Sequence, residues 1–217
     1  MRRMFSLAMM TTLLLAASAP AVASEGASGP SVAVAPYVGV TVPQLFGDLG
    51  SWPVFGLDVG YILPFDVGPM ERPLQLGLGA SYTAPGAAGE DVHPMLGEEG
   101  GTYNWELQQR MLTLQLTTIW RFMKPGEGLS FHALIGPRVY LMESVLDASD
   151  GNGNDFGQNR ETNTEYGLVF GGGAEFMLGP GALFGTLQVA GSPLDQRITG
   201  RANTGALSVD LGYRLFF

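Results

Sequence analysis

The C-terminal segment LSVDLGYRLFF, from Leu207 to Phe217, alternates strictly between two kinds of residue. The residues between the large apolar ones are small or polar, apart from Phe216. Such a period of two indicates a β-strand with one apolar and one polar face. The large apolar residues are Leu207, Val209, Leu211, Tyr213, Leu215 and Phe217.

The same alternation recurs along the chain and predicts eight strands in total. Long connections follow strands one, three, five and seven, whereas short connections rich in Pro and Gly follow strands two, four and six. An even number of strands with this asymmetry is typical of a transmembrane β-barrel with short periplasmic turns and long extracellular loops. The predicted strands span residues 32–42, 52–63, 73–82, 110–122, 130–142, 165–176, 182–190 and 207–217.

Eight antiparallel strands also form soluble barrels of the lipocalin or streptavidin type, so the content of the two faces decides between them. The apolar face carries almost no charge on any strand, as contact with lipid requires, because a charge at the bilayer midplane costs about 2–4 kcal/mol. The polar face holds mostly Gly, Ala, Ser and Thr, which suits a narrow lumen. The sequence therefore predicts an all-β, up-and-down antiparallel barrel with its apolar face toward lipid.

Aromatic residues on the apolar face support this orientation, since they collect near the two ends of the strands as interfacial girdles do. The girdle near the long loops contains Phe55, Tyr82 and Tyr166. The girdle near the short turns contains Tyr61, Trp120, Phe122, Phe131, Phe176, Tyr213 and Phe217.

The N-terminus has the features of a cleaved secretory signal. Arg2 and Arg3 precede a short apolar stretch, and Ala21-Val22-Ala23 supplies a small-residue cleavage site. We expect residues 1–23 to be removed after Sec-type export, residues 24–31 to form a short periplasmic segment, and residues 32–217 to form the barrel. Cysteine is absent, which excludes disulfides and thiol chemistry. The chain has 20 acidic and 11 basic residues, a balance that argues against binding nucleic acid.

The leader, the eight strands and the terminal strand with Tyr213 and Phe217 together resemble the small bacterial outer-membrane barrels of the OmpA/OmpX type. The resemblance implies residence in the outer membrane, contact with its lipid and lipopolysaccharide, and recognition of the last strand by the barrel-assembly machinery. It does not name an extracellular ligand.

Eight strands leave an interior that side chains can fill, so we expect the charged residues of the polar face to form an internal network without a cofactor. Three functions fit this arrangement: a structural or loop-binding barrel, a narrow channel for small or hydrophobic solutes, and a lipid A-modifying enzyme. Ser130 and His132 are the nearest approach to a catalytic pair, but their spacing on one strand face is too large for a direct bond, so we predict no enzyme. The charged and ionisable lumen residues are Asp58, Arg121, His132, Arg138, Glu165, Glu175, Asp210 and Arg214.

The fifth connection, residues 147–162, contains oxygen-bearing side chains at the spacing of an EF-hand calcium loop. Asp155 replaces the usual Gly at the sixth position, and strands replace the flanking helices. The preceding long loop carries four carboxylates, which either hold divalent ions that bridge to lipopolysaccharide phosphates or simply form a solvated acidic loop. His93 lies in the same loop and has no serine partner for catalysis. The candidate calcium ligands are Asp150, Asn152, Asn154, Gln158 and Glu161, with Phe156 at the seventh position, and the acidic loop contributes Glu90, Asp91, Glu98 and Glu99.

Overall fold

The structure is a computed structural model that describes residues 31–43, 49–93, 101–122, 128–150, 155–193 and 205–217. These residues form antiparallel strands joined by turns. No helix in them is long and apolar enough to span a membrane. The strands are β1 (Val32–Pro43), β2 (Trp52–Ile62), β3 (Leu74–Thr83), β4 (Gly86–His93), β5 (Gly101–Arg121), β6 (Leu129–Asp150), β7 (Asp155–Leu178), β8 (Gly181–Gly191) and β9 (Ala206–Phe216).

The strands close into a barrel of eight. Strands that are neighbours in sequence pair with each other, except that β3 and β4 both pair with β5, and β1 pairs with β9 to complete the ring. The last residue takes part in this closure, because the N–H groups of Ser31 and Val32 donate to the Phe217 carbonyl and the Phe217 N–H donates to the Val32 carbonyl. The predicted eight-stranded transmembrane barrel is therefore confirmed.

Nine strand segments form eight barrel positions because the third position is interrupted. Both β3 and β4 pair with β5, and the break between them falls at Ala84 and Pro85. A proline has no N–H for the ladder, yet the Pro85 carbonyl accepts from the Gln109 N–H at 2.8 Å. The prediction placed a loop here, but the chain continues as strand up to His93.

The alternation predicted from sequence holds along the membrane part of the strands, and β5 shows it most plainly. Even-numbered residues of β5 such as Leu116 point outward and are exposed to the lipid side, whereas odd-numbered residues such as Gln115 are buried in the lumen. The burial pattern switches at nearly every residue from Leu107 to Arg121. The barrel is thus inside out relative to a soluble protein, with large apolar side chains on its outer surface.

Two of the predicted loops are largely strand. β5, β6 and β7 run far beyond the ends of β1, β2, β8 and β9, and residues 147–150 and 155–162 belong to β6 and β7. A bulge between Ala148 and Ser149 shifts the register near the tip of this hairpin. The prediction began β7 too late because residues 157–164 are polar on both faces, which removes the alternation signal. On β5 the alternation continues above Arg110, but the apolar residues Tyr103, Trp105 and Leu107 lie on the inner face there instead of the outer one.

The orientation of the barrel predicts the effect of a charge on its outer wall. Leu116 is 55% exposed near the middle of the lipid-facing part of β5. Leu116→Lys should lower the free energy of unfolding by about 2–4 kcal/mol, because the ammonium group would lie in hydrocarbon. Chemical unfolding of the protein in lipid vesicles measures this change.

Thr102→Lys is the matched control, because Thr102 is exposed on the extracellular part of the same strand. We expect this variant to unfold within about 0.5 kcal/mol of the wild type. Equal unfolding energies for the two lysine variants would contradict the assigned orientation.

Candidate functional site

The periplasmic half of the lumen is held by one carboxylate between two arginines. Glu175 on β7 accepts from Nε of Arg121 at 2.7 Å through Oε1, and from Nη1 of Arg214 through Oε2. Nη2 of Arg121 also donates to the side-chain oxygen of Gln75 at 2.7 Å. Arg121, Glu175 and Arg214 are all almost fully buried, with side-chain exposures of 0–3%. The carboxylate offsets one of the two buried positive charges, and the contacts tie four strands together.

A second network crosses the middle of the lumen and is centred on Arg138. Its guanidinium donates to the side-chain oxygen of Gln115 from Nε at 3.2 Å and from Nη2 at 2.5 Å, and Nη2 also donates to the side-chain oxygen of Gln188 at 2.5 Å. The amide groups of the glutamines then donate onward, Gln115 to Asp58 at 3.3 Å and Gln188 to Asp210 at 2.7 Å. Two glutamines thus connect one arginine to two carboxylates.

Apolar and aromatic side chains fill much of the remaining lumen. The guanidinium carbon of Arg214 lies 4.7 Å from the ring centre of Phe184. Glycine makes room for these large groups, since a Cβ at Gly56 would overlap the Tyr37 ring and one at Gly79 would overlap the Asp58 carboxylate. The buried apolar residues of the lumen include Ala35, Tyr37, Met111, Ile119, Leu134, Tyr140, Met142, Val169, Phe184 and Ala190.

Ser130 and His132, the nearest approach to a catalytic pair, are both buried on the lumen side of β6. Nε2 of His132 lies 3.2 Å from the hydroxyl of Thr186 on β8. Within the part of the chain that the structure describes, the Ser130 hydroxyl and Nδ1 of His132 have no hydrogen-bond partner. The pair is therefore not arranged as a nucleophile and its base.

The structure brings together most of the predicted lumen residues but not all. Glu165 lies half-buried toward the extracellular end, opposite Tyr140, and makes no ion pair with the described residues. Gln75, Gln115 and Gln188 were not among the predicted site residues, although each occupies one of the alternate positions of its strand that point into the lumen. The prediction selected charged and ionisable residues only. The alternation along each strand was the signal that could have identified the glutamines.

The aromatic residues predicted for the periplasmic girdle lie on the outer wall. Tyr61, Phe122, Phe131, Phe176 and Phe217 are between 43% and 55% exposed near the periplasmic end. Tyr213 donates its hydroxyl to the Leu178 carbonyl at 2.5 Å. Trp120 is partly buried on the same face.

The outer wall also carries a charged cluster that was not predicted. Glu143 on β6 pairs with Arg160 on β7 and lies 3.9 Å from Nη1 of Arg110 on β5. These three residues occupy the same alternate positions of their strands as the lipid-facing residues, so their side chains point away from the lumen. We call them the outer-wall cluster.

The candidate calcium ligands do not share one loop in the structure. Asp150 ends β6, Gln158 and Glu161 lie within β7, and Asn152 and Asn154 fall outside the described residues. The Gln158 amide donates to Asp147 at 3.0 Å, and Glu161 accepts from Asn163 at 3.2 Å. The loop prediction for residues 155–162 is wrong because they continue the ladder with β6. Calcium binding itself stays a prediction.

The other acidic loop is likewise part of a strand. Glu90 and Asp91 are exposed on β4, whereas Glu98, Glu99 and the side chain of His93 lie outside the described residues. Among the residues that the structure describes, no group of three or more acidic or histidine side chains is placed to hold a metal ion.

The sequence profile of the family described as "Outer membrane protein beta-barrel domain" matches residues 9–215, nearly the whole chain. This chain belongs to that family. Its place is therefore the bacterial outer membrane, and the closed strand ring with a lipid-facing apolar surface is the family's barrel. No curated protein matches the chain significantly.

Solved structures of similar fold come from several bacteria. A major outer membrane protein from Thermus thermophilus matches with 14% identity and a TM-score of 0.52, over 86% of this chain and 100% of its own. Neisserial surface protein A (NspA) matches with 15% identity and a TM-score of 0.46, over 89% and 100%. The N-terminal β-barrel domain of Pseudomonas aeruginosa OprF matches with 17% identity and a TM-score of 0.43, over 87% and 99%. At these identities the likeness concerns the fold alone.

The position of Glu175 between two buried arginines predicts a large effect on stability. Glu175→Gln should lower the free energy of unfolding by about 3–5 kcal/mol, because it leaves Arg121 and Arg214 buried without a counter-charge. Chemical unfolding in lipid vesicles measures the loss.

Glu143→Gln is the control, because it removes the same charge from an exposed cluster on the outer wall, where a salt bridge contributes about 0–1 kcal/mol. Replacing Arg121, Glu175 and Arg214 together by Met, Leu and Met should restore most of the stability lost in Glu175→Gln. A Glu175→Gln variant as stable as Glu143→Gln would show that the buried pairing is not what holds this part of the lumen.

Proposed function

We propose that this protein is a non-conducting, non-catalytic outer-membrane barrel that presents an extracellular β-sheet to a partner. The observation that carries the proposal is the continuation of β4, β5, β6 and β7 as a paired sheet above a filled lumen. From Met111 to Gly101 the strand β5 rises roughly 30 Å beyond the apolar band. The sheet is the part of the molecule that reaches farthest from the membrane among the described residues.

The lumen contacts favour a closed interior over a narrow channel. Arg138 and its two glutamines cross the barrel from β5 to β8, and the ion pairs of Glu175 connect β5, β7 and β9 below them. An ion passing through would have to separate these charge-assisted hydrogen bonds, which are the strongest kind in proteins. The same contacts support a role for the barrel as a rigid base of the sheet.

The sheet has the surface of a binding module. Its outer face is polar and acidic, with Glu90, Glu106 and Asp147 on neighbouring strands, whereas Tyr103, Trp105 and Leu107 lie on the opposite face of β5. Aromatic residues are enriched at protein interfaces, and Tyr103 and Trp105 are half-buried on the inner face.

Export and membrane assembly involve the two ends of the chain. We propose that the leader at residues 1–23 directs Sec-type export and that the barrel-assembly machinery recognises the terminal strand. The pairing of β9 with β1 supports the second step, because the terminal strand is one of the two whose pairing closes the ring. Contact with lipopolysaccharide around the barrel belongs to the same proposal.

A closed lumen predicts no ion current. The purified protein should insert into planar bilayers without conductance steps, and the Arg138→Ala, Gln115→Ala, Gln188→Ala triple variant should give small steps because the central crossing is removed. Heat-modifiable migration on a denaturing gel verifies that both proteins are folded. Regular current steps from the wild type would favour the channel instead.

Because the extracellular sheet is proposed to serve binding and not folding, we expect the barrel to fold without the sheet. Residues 89–105 and 148–157 can be replaced by Asn-Gly turns, since Ala88 pairs with Glu106 and Asp147 pairs with Gln158. The shortened protein should keep heat-modifiable migration and restore the permeability barrier of a deletion strain, but lose adhesion to extracellular protein surfaces. A shortened protein that restores adhesion as well would show that the barrel alone carries the function.

A further inference from the structure

The arginines of the described chain are distributed unevenly between the lumen and the outer wall. Arg121, Arg138 and Arg214 are buried in the lumen, and Arg72 lies in a periplasmic turn. Arg110 and Arg160 remain, and both face outward on the wall of β5 and β7. They meet on the same carboxylate, that of Glu143.

The level of this cluster is that of the extracellular membrane boundary. Below Arg110 the outward-facing residues of β5 are Leu112, Leu114 and Leu116, and Glu143 likewise follows Leu141 on β6. Among the described residues, the outer face of β5, β6 and β7 carries no other charge from this level down to the periplasmic girdle. The cluster is therefore the first charge that lies above the hydrocarbon, at the depth where lipid headgroups begin.

The cluster keeps an excess of one positive charge with its guanidinium groups accessible. The side chains of Arg110 and Arg160 are 67% and 63% exposed, whereas that of Glu143 is 25% exposed. One carboxylate cannot satisfy the donors of two guanidinium groups, each of which has five N–H bonds. Donors thus remain for an anion from the lipid side.

The nearest other carboxylates on this wall already have donors. Glu106 accepts from the Gln108 amide at 2.8 Å, and Asp147 accepts from the Gln158 amide at 3.0 Å. Both carboxylates lie farther from the membrane than the cluster, since Glu106 pairs with Asp147 and Arg110 pairs with Glu143. Positive charge therefore lies on the membrane side and negative charge above it.

A shallow apolar groove lies on the membrane side of the cluster. It is lined by Tyr166, Leu168, Phe170, Gly191 and Pro193 where β8 ends beside β7. Tyr166 follows Arg160 on the same face of β7 at a distance of roughly 20 Å along the strand. One leaflet is roughly 15 Å thick. The acyl chains of a lipid whose headgroup lies at the arginines would therefore run along the outer wall between the cluster and this groove.

We infer that Arg110 and Arg160, held by Glu143, bind the phosphate of an anionic outer-leaflet lipid, whose acyl chains lie against the apolar wall below the cluster. Guanidinium groups recognise phosphate through paired hydrogen bonds. The strongly acidic composition makes such a local cation site the means by which the barrel holds lipid that its own charge would otherwise repel. The site rests on the proposed contact of the barrel with outer-leaflet lipid, but it differs from the extracellular sheet and does not depend on the partner of that sheet.

The test measures lipid retention by the purified, signal-processed protein in non-ionic detergent, using native mass spectrometry. Phosphatidylglycerol and a diphosphorylated lipid A should bind at least roughly tenfold more tightly than dioleoylglycerol, which lacks phosphate. The Arg110→Gln, Arg160→Gln double variant should lose this preference, whereas the Arg110→Lys, Arg160→Lys variant should keep only part of it, because lysine supplies the charge but not the paired hydrogen bonds. Inorganic phosphate at the same concentration should not displace the lipid.

Arg72→Gln is the matched control, because it removes the same charge at the periplasmic end and should leave binding unchanged. Heat-modifiable migration verifies folding of each variant. Wild-type affinity in the double glutamine variant would overturn the site, as would equal affinity for dioleoylglycerol. Binding of inorganic phosphate as tight as that of phosphatidylglycerol would overturn the assignment to lipid.

Discussion

The structure depends on the requirement that every backbone N–H and C=O group within hydrocarbon finds a partner in the protein. A sheet in lipid satisfies this requirement only if it has no edge. The hydrogen bonds between β1 and β9, which include both backbone groups of Phe217, remove that edge. The closed ring in turn fixes which side chains face lipid, because alternate residues of every strand must point to opposite sides.

Closure with eight strands has a second consequence inside the barrel. The interior is narrow, so its polar groups are buried and must satisfy one another. The three lumen arginines face three carboxylates, and glutamine side chains bridge gaps that direct ion pairs do not span. An amide suits this position because it accepts from Arg138 with its oxygen and donates to Asp58 or Asp210 with its nitrogen. The same contacts thus stabilise the barrel and fill its lumen.

The extracellular part follows different rules. Above the apolar band water satisfies free strand edges, so β4 to β7 can continue after the other strands have ended. At the boundary between the two regions the outer wall changes from Leu112 and Leu141 to Arg110 and Glu143 within one step of the ladder. This step places charged groups beside lipid headgroups, where the free-energy cost of a charge is smaller than in hydrocarbon. The boundary therefore carries side chains that are able to interact with the headgroups.

The sequence alone determined the architecture and its orientation, because lipid on one side and a lumen on the other impose a period of two that survives in every membrane strand. It also identified Asp58, Arg138, Glu175 and their neighbours as lumen residues, since parity is a local property. Only the tertiary structure decided which of them meet: Glu175 joins Arg121 and Arg214, while Glu165 joins neither. The extended strands and the outer-wall cluster were also visible only in the tertiary structure. Both depend on the register between neighbouring strands, and the pattern of a single strand does not contain that register.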